Sequence, residues 1–105
     1  MARPISANEF QQEFARQLRL RGWEVELEVG QVYEDGHGST KNGRIDVVAR
    51  RKGRTIAVEL DRGRPRKKSI LKLSQYPCDA AYVVCRSGCK IQVIGDTCKE
   101  VKNIQ

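Results

Sequence analysis

The stretch Gly43–Lys72, GRIDVVARRKGRTIAVELDRGRPRKKSILK, decides how the rest of the chain is read. Two apolar runs, Ile45–Ala49 and Thr55–Asp61, flank the basic turn Arg50–Arg54. β-Branched residues in the runs and Gly53 in the turn predict an antiparallel hairpin. Three carboxylates interrupt these core-like runs: Asp46 in the first, Glu59 and Asp61 in the second. The start of one antiparallel strand lies beside the end of the next, so the three are expected to converge. Glu59 and Asp61 are two apart and share a face. Like charges this close destabilise a fold unless a counter-charge offsets them. A hard divalent cation supplies that offset, and oxygen ligands with positions left for water and phosphate suit Mg²⁺, or Mn²⁺ in its place. A single carboxylate on a strand is ordinarily a solvated one. It is the trio that points to a site.

Immediately downstream, residues 62–72 carry six basic side chains and no acid. Arg62, Arg64, Arg66, Lys67 and Lys68 are the expected nucleic-acid contacts. The positive charge of the chain is local. Residues 1–49 hold six Lys/Arg against eight acids, residues 50–72 ten against two, and residues 73–105 four against three, within an overall +7. A local cationic patch points to a polyanion more strongly than a general basic bias does.

The pattern of a helix with Glu, then G-x-I-D, then about a dozen residues, then apolar-E-x-(Lys or acid), resembles the PD-(D/E)XK nuclease superfamily. The residues that match are Glu13, Asp46, Glu59 and Asp61, over roughly residues 9–85. The resemblance implies a restriction-endonuclease-like α/β fold: an αβββαβ core whose central mixed sheet of four to five strands is flanked by helices. It implies a Mg²⁺- or Mn²⁺-dependent endonuclease that hydrolyses DNA phosphodiesters, with Asp46, Glu59 and Asp61 on the metal and Glu13 as outer support. Asp61 stands where the family usually carries Lys. In some branches that lysine moves to the following helix, and Lys68 and Lys72 are the candidates here. The alternative is a catalytically inactive nucleic-acid-binding domain on the same fold.

At 105 residues the chain is read as one domain, 1–105, long enough for a modest core. No apolar run approaches the ~20 residues that span a bilayer, and no signal-peptide pattern opens it, so no membrane partner and a cytoplasmic location are expected. So small a domain has little surface for base readout, which leaves targeting to a homodimer or a partner. The four cysteines, Cys78, Cys85, Cys89 and Cys98, are spaced C-x6-C-x3-C-x8-C without a C-x2-C knuckle. A zinc-held module is the weaker reading and a buried small residue the plainer one, above all for Cys85 in an apolar run.

Phe10, Phe14 and Leu18 recur every fourth residue and predict a helix from Ala7 to about Arg21, capped by Ser6 or Asn8. Glu13 lies at the margin of that stripe, with Glu9 one turn earlier as its rival. Trp23–Val29 alternates apolar with acidic and predicts a strand with Trp23, Val25, Leu27 and Val29 inward. Glu24, Glu26 and Glu28 then form a solvent row without chemistry. Residues 33–42 read as a flexible loop holding His37, the only histidine. Lys67–Tyr76 predicts a helix with Ile70, Leu71 and Leu73 buried, and Lys68 and Lys72 together on one face. Residues 80–86 predict a buried parallel strand, 91–94 an edge strand, and Asp96 the cap of a short terminal helix.

Overall fold

The computed structural model describes residues 6–86 and 90–93. The expected turn at Ser87–Gly88, the helix after Asp96, and Cys89 and Cys98 lie outside the described residues. The element order is α1 (Ala7–Leu20), β1 (Glu24–Glu34), β2 (Thr40–Arg51), β3 (Arg54–Asp61), α2 (Lys67–Gln75), β4 (Ala80–Cys85) and β5 (Lys90–Val93). This is an α/β fold with the αβββαβ order and a mixed sheet flanked by helices. The five strands lie in sequence order β1-β2-β3-β4-β5. All neighbours are antiparallel except β3 and β4, which run parallel through the α2 crossover. Among the described residues no helix is long and apolar enough to cross a membrane.

Helix α1 starts at a capping box. The Ser6 hydroxyl accepts from the Glu9 amide at 3.1 Å, and the Ser6 amide donates to the Glu9 carboxylate at 3.0 Å. Its apolar stripe packs one face of the sheet, where Leu18 meets Val47, Ala49, Ile56, Val58, Tyr82 and Val84. Helix α2 covers the other face, with Leu73 against Ile45, Val48, Ala57, Ala81, Val83 and Cys85. Cys85 is thus a small core residue, and Cys78 packs at the edge of the same cluster.

The β1–β2 hairpin departs from the expected pattern. Strand β1 continues to Glu34 and β2 begins at Thr40, so only residues 35–39 turn where a longer flexible loop was expected. The Asp35 carboxylate closes that turn by accepting from the amides of His37 (2.7 Å) and Ser39 (3.2 Å). The ladder also breaks in its middle. Pairing steps from Leu27↔Val47 to Val29↔Ile45, which leaves Glu28 and Asp46 opposite one another but outside the regular pairs. Glu28 takes a positive φ of 54°, a left-handed backbone costing on the order of 1 kcal/mol for a non-glycine residue.

The two strands change faces at that break. Val25, Leu27, Val47 and Ala49 pack on the α1 side, whereas Val29 and Ile45 pack on the α2 side. Strict alternation had placed Val29 with Leu27. The distal half of the hairpin therefore folds against α2. There Gln31 donates to the Lys72 carbonyl (2.8 Å), and Gln75 exchanges two hydrogen bonds with the Glu34 backbone.

Gly43 marks the tightest point of that contact. A Cβ there would lie 2.9 Å from Tyr33 Cε1 and 3.1 Å from Lys72 Cδ. Gly43→Ala is expected to cost about 1–3 kcal/mol through overpacking, read from urea unfolding midpoints, and to displace the Lys72 stem.

Candidate active site

Regular pairing between β2 and β3 ends at Val47↔Val58. Just beyond, the strands part, and their freed amides are taken by carboxylates rather than carbonyls. The Asp46 amide donates to Glu59 Oε2 at 2.8 Å, and the Leu60 amide donates to Asp46 Oδ2, also at 2.8 Å. Each carboxylate thereby ties down the other strand. A buried amide without a partner is costly, so this exchange both opens the sheet and fixes the two acids.

Glu59 is fully buried, and its other oxygen, Oε1, lies 2.7 Å from Lys72 Nζ. This short contact is an ion pair buried on both sides, where the low dielectric strengthens the attraction. Lys72 is itself only 6 % exposed and donates to the Arg44 carbonyl at 2.8 Å. The buried side of α2 is thus Ser69, Lys72 and Leu73, with Ile70 and Leu71 half-buried. This corrects the apolar stripe expected for the helix. Lys68, one turn before Lys72, is exposed. The lysine that reaches the acids comes from α2, and it is Lys72.

Asp61 goes elsewhere. It is 2 % exposed, and both its oxygens serve the start of α2. Oδ2 accepts from the Arg66 amide (2.8 Å), and Oδ1 accepts from Ser69 Oγ (2.9 Å) and Arg66 Nε (3.2 Å). Helix α2 has no acid in its first turn and no side-chain bond from its N-cap residue, so Asp61 offsets the positive helix end from outside. The expected third metal ligand is a helix clamp. Glu13 also falls outside the site. It is exposed on α1, paired with Arg16 at 2.8 Å and bonded to Gln17. The Arg16 guanidinium is the first reason its carboxyl is pulled down to about 2.

In place of Glu13, α1 sends Gln11. Its amide nitrogen donates both to Glu28 Oε2 (2.7 Å) and to the Asp46 carbonyl (2.9 Å). A cleft of about 340 Å³ opens here, lined by Asn8, Gln11, Glu28, Asp46, Leu60 and Arg66. Asp46 is the half-buried carboxylate at its wall, whereas Glu59 and Lys72 are buried and do not line it. Neither Gln11 nor Glu28 was legible as a site residue. Glu28 continues an alternating acidic row, and only the broken ladder turns it towards Asp46. Arg62, Arg64, Arg66, Lys67 and Lys68 are all exposed around the β3–α2 connection, in keeping with a solvent-facing cationic rim.

Burial raises both site acids above their ordinary values. For Asp46, desolvation leads, the Leu60 amide pulls back, and the Glu28 charge adds to the rise. For Glu59, desolvation leads and the Asp46 charge follows, while Lys72 opposes.

Comparison with known proteins speaks to the fold. No family model matches the chain, and no curated protein matches it significantly. The crystal structure of SSO0001 is similar, with a TM-score of 0.50 and 18% identity. The match covers 82% of this chain and 48% of that one, so the chain spans about half its length. At this identity the likeness concerns the fold alone.

The donor set limits what a metal would find. Among the described residues no three His, Cys, Asp or Glu side chains surround a common point. Mg²⁺ commonly binds through one or two carboxylates and completes its shell with water and substrate phosphate. Asp46, on the cleft wall, fits that mode as a single carboxylate. Glu59 is fully buried with one oxygen on the Asp46 amide and the other on Lys72, and would join a metal only by leaving Lys72.

Two outcomes follow from this electrostatic arrangement. Lys72→Met leaves Glu59 buried without its counter-charge and is expected to destabilise by about 3 kcal/mol, with Glu59→Gln in the same chain recovering most of the loss in urea titrations. The raised acids set the sign of the pH dependence. Between their ordinary values (3.8 for Asp, 4.5 for Glu) and their raised folded values, the folded state binds more protons. Their contribution to stability is therefore full below the ordinary values and lost as pH rises through the folded ones. The difference in unfolding free energy between the wild type and Asp46→Asn/Glu59→Gln should grow in the variant's favour across that rise.

Proposed function

We propose that this chain is a metal-dependent endonuclease domain of the PD-(D/E)XK type, hydrolysing phosphodiester bonds of DNA in the cytoplasm. The observation that carries the reading is the Asp46–Glu59 exchange at the parting of β2 and β3, with Lys72 ion-paired beneath it. Asp46 would hold Mg²⁺ or Mn²⁺ at the cleft, joined by Glu59 if Oε1 leaves Lys72, and the ion when bound supplies Lewis-acid polarisation of the phosphate and a more acidic water. The chain's own residues do the rest. Asp46 and Glu59 are fixed by backbone amides, so their oxygens need little reorganisation when a substrate arrives. Lys72 opposes the rise that burial gives the Glu59 carboxyl and would supply the cation nearest to a phosphate oxygen that gains charge. Gln11 steadies Glu28 and the Asp46 backbone from α1. The exposed cations Arg62, Arg64, Lys67 and Lys68 would contact backbone phosphates, which position a duplex without reading its sequence.

The acid at position 61 is the main support for an inactive binder, and a lysine on α2 beside Glu59 favours the nuclease. Asp61 is occupied with the helix, and Lys72 supplies the cation at Glu59. A homodimer or a targeting partner would provide specificity.

Nicking of supercoiled plasmid tests the reading. The wild type should cut with Mg²⁺ or Mn²⁺ and not with EDTA. Asp46→Asn and Lys72→Met should each lower the rate by roughly 10²–10³, while Asp61→Asn should weaken folding by about 1–2 kcal/mol and retain cutting at a temperature where it is folded. Salt-sensitive DNA binding with no metal-dependent cutting under any condition would replace this reading with the inactive binder.

A further inference from the structure

The second cationic concentration of the chain lies at the other end of the β2–β3 hairpin. Arg51 pairs with Arg54 across a two-residue turn in which Lys52 and Gly53 both have positive φ, 51° and 78°. This geometry is that of a tight hairpin turn and pushes the Lys52 side chain outward. The turn meets the end of α1 at a cleft of about 730 Å³, lined by Arg21, Arg50, Arg51, Lys52 and Arg54 with Glu24 as its single acid. Part of the wall is fixed. Arg51 Nη1 donates to the Arg21 carbonyl at 2.7 Å, and its guanidinium lies over the Trp23 ring at 4.8 Å. Arg50 is neutralised by Glu26 at 2.6 Å. Lys52 and Arg54 are exposed and have no ion-pair partner among the described residues.

The position of this cleft gives it a partner. From Arg54 to Glu59 is five residues along β3, about 17 Å at strand rise. On one nucleic-acid strand that distance is about five phosphates. Along the chain the acids therefore lie between two cationic zones: this cleft at the hairpin turn, and residues 62–68 in the β3–α2 connection and the start of α2. Such bracketing suits a polyanion laid along the hairpin, with its backbone held on both sides of the acids. We propose that the Arg21–Arg54 cleft is a second backbone-binding site for duplex DNA, engaging phosphates about five nucleotides from the bond cut at Asp46 and Glu59. This rests on the nuclease reading and adds to it a defined second anchor.

The test is fluorescence anisotropy of a labelled duplex of about 20 base pairs in EDTA, with salt varied. Lys52→Glu/Arg54→Glu in the full chain should weaken binding at least tenfold at low salt and lower the slope of log K against log salt by about two. Lys52→Gln/Arg54→Gln should give a smaller loss in the same direction. Both should keep the wild-type melting temperature. Affinity within twofold of wild type and an unchanged slope in both variants would overturn the proposal, as would a wild type that binds no duplex. So would variants that lose binding to phosphatidylserine vesicles and keep DNA binding, which would assign the cleft to a lipid surface. Plasmid nicking separates the two readings. Unchanged binding by the cleft variants, with cutting abolished by Asp46→Asn, removes the cleft alone. Weakened duplex binding by those variants, together with a wild type that binds duplex but never cuts plasmid, removes the nuclease alone.

Discussion

Two backbone amides, those of Asp46 and Leu60, have lost their carbonyl partners, and the arrangement around them governs the molecule. A sheet ladder cannot open inside a protein without satisfying its donors. Here the acids of the facing strands do so, each bonding an amide of the other strand. The exchange keeps β2 and β3 together while separating them enough to admit side chains between them. It also commits one oxygen of each acid to structure, leaving Glu59 Oε1 for Lys72 and the rest of Asp46 for the cleft.

Burying this constellation is unfavourable by itself. Desolvation raises both acids, and their mutual repulsion raises Glu59 further. Lys72 offsets part of the cost only because it is buried alongside, anchored to the Arg44 carbonyl. That anchor depends on Gly43, whose missing side chain lets Tyr33 and the Lys72 stem approach. It also depends on the distal β1–β2 hairpin folding onto α2, which requires the change of face at Glu28 and Asp46. Strain at Glu28, the close approach at Gly43 and a buried ion pair are thus linked through one piece of packing. Proteins hold such costs where the rest of the fold over-determines the geometry, and these sites are often the functional ones.

Asp61 shows how one sequence pattern can serve two purposes. Glu59 and Asp61 share a face of β3, as a spacing of two requires, and both are buried against α2. Glu59 meets the middle of the helix, where Lys72 stands. Asp61 meets its start, where Arg66 and Ser69 offer donors. A helix beginning Lys67-Lys68 places positive charge at its positive end, and the Asp61 carboxylate is the counterweight. Periodicity assigns the face. What waits on that face comes from another element.

The order of the described elements, a helix cap at Ser6 or Asn8, the hairpin around Gly53, the parallel β4 and the approach of Asp46 to Glu59, though as part of a trio, were legible in the sequence, because each follows from local periodicity, turn chemistry or adjacent strands. The sequence also named Lys72, though only as one of two lysines, since Lys68 and Lys72 share the 3.6-residue spacing and just one of them points inward. Tertiary structure alone decided the remainder. It turned Asp61 into a helix clamp, left Glu13 exposed beside Arg16, and brought Gln11 and Glu28 to the acids. For Gln11 and Glu28 the physical reason is a contact between elements far apart in sequence. Asp61 and Glu13 find their partners close by in the chain, and only the docking of the helices decides that these partners, rather than the shared site, hold them. Alternation along β1 predicts an outward Glu28, and only a break in the β1–β2 ladder, where two strands change faces together, sets it beside Asp46.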